Sequence, residues 1–196
     1  MSKNRRQLIT LGCIVVIGGA FLWYFEYGPR VRPIATTQAT AASGRGFTIA
    51  VPKGFELALD DDRLKAVRDS GGVALAGTWR AGAGEGMRPS IAVIPLPSPW
   101  SGGDLAKDAT CADVANQAVG STPGLELLSH KVATAAWGPT CEWEVVDKAR
   151  AHGALGTFIA QGTDGWVITC NASPQDQRAR TACHEVVASW KFSPPH

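Results

Sequence analysis

The sequence predicts an α+β domain, a mainly antiparallel sheet packed by two helices, preceded by an N-terminal transmembrane helix. Three observations carry this expectation. Short segments such as "GFTIAV" (46–51) and "GWVITC" (165–170) alternate apolar and polar residues with the period of two that a half-buried strand shows. Consecutive segments of this kind are joined too briefly for parallel crossovers. Sustained apolar spacing of three and four residues occurs in two places, 104–120 and 179–190, so the order is strands, helix, strands, helix.

The amino terminus differs from the rest. "MSKNRRQ" carries Lys3, Arg5 and Arg6, and residues 8–25, "LITLGCIVVIGGAFLWYF", follow as eighteen uncharged, mostly apolar residues. A helix of about that length just crosses a hydrocarbon core. Trp23, Tyr24 and Tyr27 stand at its far end, where amphipathic aromatics favour the headgroup zone, and the basic flank precedes it. The expected division is a cytoplasmic tail (1–7), a signal anchor in the bacterial inner membrane (8–25), a linker (26–45) and a periplasmic domain (46–193). Two other readings of the segment stand beside it. Gly18-Gly19-Ala20 offers a signal-peptide cleavage site, which would leave "FLWYF" as a strongly apolar mature end. "TLGC" ahead of Cys13 has the small residue of a bacterial lipobox, but the apolar run continues well past the cysteine.

"GPRVRPIATTQATAASGR" (28–45) has no hydrophobic period and the composition of a linker. Five of the 19 Lys/Arg and one of the 17 Asp/Glu precede residue 33, leaving 14 against 16 in the exported part. The positive total of +2 is thus produced by the membrane flanks. No basic stripe remains to neutralise phosphates, which argues against nucleic-acid binding.

Within the domain, "GFTIAVPKGFEL" (46–57) opens with a strand punctuated by Pro52 and Gly54. "DDDRLKAVRDSGG" (60–72) has only enough periodicity for a short helical turn. "GVALAGTWR" (72–80) and "PSIAVIPLP" (89–97) read as strands of a hairpin with a glycine-rich loop. The loop after them carries Trp100. In 104–120, Leu105, Ala109, Ala112, Ala115 and Val119 line one helical face and Gly120 suits its C′ position. Four strand candidates follow, "LELLSHKVATA", "CEWEVVDKAR", "GTFIAQ" and "GWVITCN", the last two joined by the hairpin signal "GTDG". The closing helix is expected to be capped by Ser173, with Pro174 in its first turn and Asp176 adding negative charge. Its apolar face is Ala179, Ala182, Cys183, Val186, Val187 and Trp190.

The strand–Pro–Gly–aromatic opening (46–57), the central helix, the meander and a last helix ending "VVASWKF" (186–192) resemble the PsbP-like α/β/α sandwich family over roughly 46–192. The resemblance implies that fold and a non-enzymatic binding or assembly role. It carries no catalytic residues over, and the four cysteines of the domain lie outside the shared pattern.

Those cysteines, Cys111, Cys141, Cys170 and Cys183, are an even number in an oxidising compartment and read as two disulfides. No C-x-x-C spacing suggests a redox pair or zinc knuckle. Cys170 shares its strand side with Trp166 and Ile168, and Cys183 lies on the apolar face of the helix that turns back over that strand. The favoured pairing is therefore Cys170–Cys183 with Cys111–Cys141.

Catalytic and metal motifs are incomplete. "HEVVA" (184–188) is half of H-E-x-x-H, with Ala188 where the second histidine belongs. Cys183 and His184 point about 100° apart on a helix and make a poor nucleophile–base pair. "GAGEG" lacks the Lys-Ser/Thr of a phosphate loop, and no G-x-S-x-G occurs. "NAS" (171–173) is a formal glycosylation sequon followed directly by Pro174. His130, His152 and His196 share no spacing and read as surface or loop residues. No cofactor and no metal are expected.

Trp79, Trp100 and Trp137 fall at a strand end or in loops, and exposed tryptophan is enriched at binding hot spots, so these three are the candidate binding residues. The competing account is that loop tryptophans fold back onto the core. The resulting expectation is a membrane-anchored periplasmic accessory or binding protein with a protein partner or ligand, recognised by a sheet face or the 81–103 loops without catalysis. Two other classes stay open. One is an inhibitor or immunity-type protein for an exported enzyme. The other is a hydrolase or transferase assembled only in three dimensions, with Asp60–Asp62, Glu142, Glu144 and Asp147 as first candidates.

Overall fold

The computed structural model describes residues 34–37, 46–80, 88–120, 123–147, 152–173 and 175–193. The expected anchor (8–25), the two other readings of that segment and the glycine loop "AGAGEGM" (81–87) lie outside the described residues. No described helix is long and apolar enough to cross a membrane.

Among the described residues, ten strands form two sheets. The smaller has the order β1 (Ile34–Thr37), β2 (Phe47–Ala50), β10 (Lys191–Phe192), antiparallel throughout. The larger contains β3 (Phe55–Leu57), β4 (Val73–Gly77), β5 (Ser90–Pro95), β9 (Asp164–Ala172), β8 (His152–Gln161), β7 (Gly138–Asp147) and β6 (Leu125–Ala135), in that spatial order. Every neighbouring pair is antiparallel. The chain builds one edge with β3–β5, crosses to the other edge, and returns inward strand by strand until β9 pairs with β5. This is the α+β arrangement that the short connections predict.

Among the described residues, three helices pack on the large sheet: α1 (Lys65–Asp69) behind a 3-10 turn at Asp62–Leu64, α2 (Asp108–Gly120) and α3 (Gln177–Ser189). The weak period over 60–72 is thus a real helix, although a short one. Leu64 and Val67 give it just enough apolar surface to sit on Ala74 and Ala76 of β4.

Strand alternation sends successive side chains to opposite faces. Cys141, Trp143 and Val145 of β7 point to the α2 face, where they meet Cys111 and Ala115. Trp143 lies flat across β8 because position 156 is glycine; a Cβ there would fall 2.0 Å from the indole. On the other face, Ile159, Trp166, Ile168 and Cys170 pack with Ala182, Cys183 and Val186 of α3 and with Phe47 and Ile49 of β2. Trp190, which ends α3, stacks on Phe47 at 4.4 Å. The expected apolar face of the last helix is therefore the buried one.

Four local expectations differ from the structure. Residues 34–37, within the expected linker, form β1: strand β2 offers a row of backbone donors and acceptors, and this short segment pairs with them through its own backbone. The α3 cap is Asp176, whose carboxylate accepts from the Ala179 amide at 3.0 Å. Ser173 instead bonds Gln175, and Pro174 is outside the described residues. Helix α2 starts at Asp108 and not at 104, because the Asp104 carboxylate and carbonyl hold a turn through the amides of Ala106 and Lys107. Finally, β8 begins at His152, four residues before "GTFIAQ". The added residues include Gly153, and the backbone there is paired on both sides.

Candidate functional site

Helix α3 covers β8 and β9 but stops short of β6 and β7. On that uncovered half of the sheet lies a cleft of about 230 Å3 between β6–β8 and α3. Its floor is Glu142 and Glu144 from β7 with Leu155 and Thr157 from β8, and its wall is Arg180, His184 and Val187 from α3. The Cys170–Cys183 disulfide closes the base. Glu142 and Glu144 share a face, as their spacing of two requires, and opposite Glu144 the helix presents Arg180 with His184 one turn further on.

The cleft is already neutralised from within. Arg180 Nη1 donates to Glu144 Oε1 at 2.7 Å across the helix–sheet gap, and Lys131 Nζ meets Glu142 Oε2 at 3.1 Å across the β6–β7 pair. The hydrogen bond from Arg180 holds the Glu144 carboxyl below the ordinary carboxylate value; partial burial opposes this and the guanidinium charge adds to it. A carboxyl whose folded pKa is depressed contributes stability that is present above its unfolded pKa and lost as pH falls through the folded value. Both partners are over a quarter exposed, so the pair is worth at most about 1 kcal/mol. Glu144→Gln should therefore flatten the dependence of the urea midpoint on pH below about 4.3, the ordinary glutamate value, while costing little at pH 7. An unchanged acid-side slope in the variant would remove Glu144 from this account.

The structure places the other sequence candidates as follows. Asp60–Asp62 precede α1 beside the β3 edge, with Asp61 paired to Arg63 at 2.6 Å; the sheet order puts them far from Glu142 and Glu144. Asp147 belongs by alternation to the α2 face. Cys111 is bonded to Cys141 and Cys170 to Cys183, with Cα–Cα distances of 5.1 and 6.1 Å. Among the described residues, no three His, Cys, Asp or Glu side chains converge as a metal would need.

The tryptophans fold inward. The Trp79 indole donates to Asp176 Oδ2 at 3.2 Å, lies under the Arg178 guanidinium at 3.9 Å and meets Phe55 edge-on at 5.1 Å, clasping the start of α3 to the β3–β4 edge. Trp137 packs edge-on against Phe192 at 5.5 Å. Trp100 rests on Phe158 at 4.6 Å and is half-buried. Sequence reasoning found the two glutamates but missed Lys131, Leu155, Thr157, Arg180 and Val187. The one available signal was that Arg180 follows Ala179 on a helix already expected to lie over the sheet.

No family model and no curated protein matches this sequence. Solved structures do. The chain is similar to LpqN, "involved in cell envelope biogenesis of Mycobacterium tuberculosis", with a TM-score of 0.51, 12% identity and coverage of 84% of this chain and 93% of that one. It is also similar to cyanobacterial PsbP (CyanoP) from Synechocystis sp. PCC 6803, with a TM-score of 0.52, 10% identity and coverage of 85% and 96%. At such identities the likeness concerns the fold, and the fold is PsbP-like.

Proposed function

We propose that this is a single-pass accessory protein of the bacterial inner membrane whose disulfide-stapled domain faces the periplasm and acts by recognition, without catalysis. The observation that carries the proposal is the cleft between β6–β8 and α3. Its carboxylates are each committed to a cation, Glu144 to Arg180 and Glu142 to Lys131. Such an arrangement offers paired charges and an apolar base for a partner to exchange with, and leaves no carboxylate poised as a base beside a nucleophile. The two disulfides support an oxidising compartment, and the envelope role printed for LpqN is in keeping with it.

The test is in-cell crosslinking of the full-length, C-terminally tagged chain followed by denaturing purification. An envelope protein should be recovered with the parent and lost with Lys131→Glu, which reverses a charge at the exposed rim of the cleft. Equal recovery from both forms would reject the cleft as the recognition surface. A single partner in one-to-one ratio would turn the reading toward an inhibitor or immunity-type protein.

A further inference from the structure

The two outer edges of the large sheet are unlike. Strand β3 has three residues, as a guarded edge does, whereas β6 has eleven and no proline. On one side β6 pairs with β7; among the described residues no strand lies on its other side. Which main-chain groups point that way follows from Pro139. It stands opposite Thr134 and has no N–H to give, so this pair is of the non-hydrogen-bonded kind. Pairs alternate along an antiparallel ladder, so Val132 opposite Cys141 and His130 opposite Trp143 are of the same kind. The N–H and C=O groups of His130, Val132 and Thr134 therefore face outward, and no main chain among the described residues receives them.

Such a row selects an extended strand. Donors and acceptors repeating at every second residue are matched by another extended main chain, whereas a helix has its own groups paired within itself. The edge is also complementary to itself. Set antiparallel about Val132, two copies of β6 bring Val132 beside Val132, His130 beside Thr134 and Lys131 beside Ala133. Outward groups then meet outward groups, and no two like charges stand directly opposite. The Lys131 ammonium is already turned to Glu142 at 3.1 Å. Val132 is half-buried against the α2 layer, which the second Val132 extends. In the same register Leu128, 56% exposed at the β6 bulge, comes beside the Ala136–Trp137 turn of the second copy.

We infer that two copies of this chain pair antiparallel through the outer edges of β6, joining their large sheets into one. The pairing uses the main chain of the edge and not the interior of the cleft. It is measured on the protein with no other partner added, so it and the cleft reading fail separately.

The test treats membrane vesicles containing the full-length protein with a short amine-reactive crosslinker and maps the joined peptides by mass spectrometry. A link from Lys131 to Lys131 can only connect two copies, and the pairing puts these side chains on one face as diagonal neighbours across the new ladder. That link is expected. Thr134→Pro removes an outward N–H from each copy and leaves the β6–β7 ladder intact. It should lower the link by about tenfold or more, as the loss of those hydrogen bonds implies. Thr134→Ala keeps the N–H and should leave the link unchanged. Should Thr134→Pro lower the urea midpoint of the protein, Leu128→Asp is read in its place, with the same loss expected. Absence of the Lys131–Lys131 link would overturn the inference. So would a link as strong in the variant as in the parent, which a dimer held through residues 8–25 would give, or Lys131 joined to a different protein instead.

Discussion

Replacing Cys111 and Cys141 together with alanine is expected to cost more stability than replacing Cys170 and Cys183. Both bonds restrict the unfolded chain, and the entropy so removed grows with the loop that each closes. The first spans a sequence separation of 30 and the second one of 13, which on the chain-entropy model gives about 3.7 and about 3 kcal/mol. Packing acts in the same direction. Cys111 and Cys141 are both fully buried, among Ala115, Trp143 and Phe158, so their loss also loosens the contact of α2 with β7. Urea unfolding of the full-length variants, followed by tryptophan fluorescence, gives the order. A Cys170/Cys183 variant less stable than the Cys111/Cys141 variant would show that native contacts near α3, and not chain entropy, set the effect. Free thiols at Cys111, Cys141, Cys170 and Cys183 in full-length protein purified without reductant would overturn the structural role of both bonds.

The pairing of the cysteines was legible in the sequence because it depends on two local periods. Cys170 has to share a face with Ile168 and Trp166, and Cys183 has to share one with Ala179, Ala182 and Val186; a helix turning back over its own strand brings those faces together. The strands of the meander were legible for the same reason. The cleft was not. Its existence follows from the position of α3 over β8 and β9, which is set by β9 closing against β5 rather than by any property of α3 itself. The sequence therefore showed that Glu142 and Glu144 share a face without showing that Arg180 would stand opposite. Strand β1 escaped notice because backbone pairing leaves no periodic trace in "IATT". The α3 cap was misplaced because Ser173 and Asp176 are both capping residues three apart, and β9 continues through Ala172, so the chain needs the intervening residues to turn. Trp100 occupies a loop, and what draws it inward, Phe158, lies on a strand 58 residues away.

The largest effect of a single substitution should come at Trp166. Its side chain is fully buried and sits where three layers meet: its own strand β9, the end of α3 through Trp190 at 5.5 Å, and β10 of the small sheet through Phe192 at 5.6 Å. Phe47 of β2 completes the group by stacking on Trp190. Trp166→Ala empties that junction and should cost about 3–5 kcal/mol, the range for deleting a large aromatic from a core. Trp166→Phe separates shape from hydrogen bonding. Neither the Trp166 nor the Trp190 indole nitrogen has an acceptor among the described residues, so each N–H already bears the desolvation cost of a buried, unpaired donor. Phenylalanine keeps part of the ring contact, leaves a much smaller cavity than alanine and removes one of those donors, so its cost should fall well below that of Trp166→Ala. The measurement is the shift of the urea midpoint at constant slope for both variants. If Trp166→Phe costs as much as Trp166→Ala, the indole N–H is held by a partner, and the junction is kept together by that bond rather than by the packing of its rings.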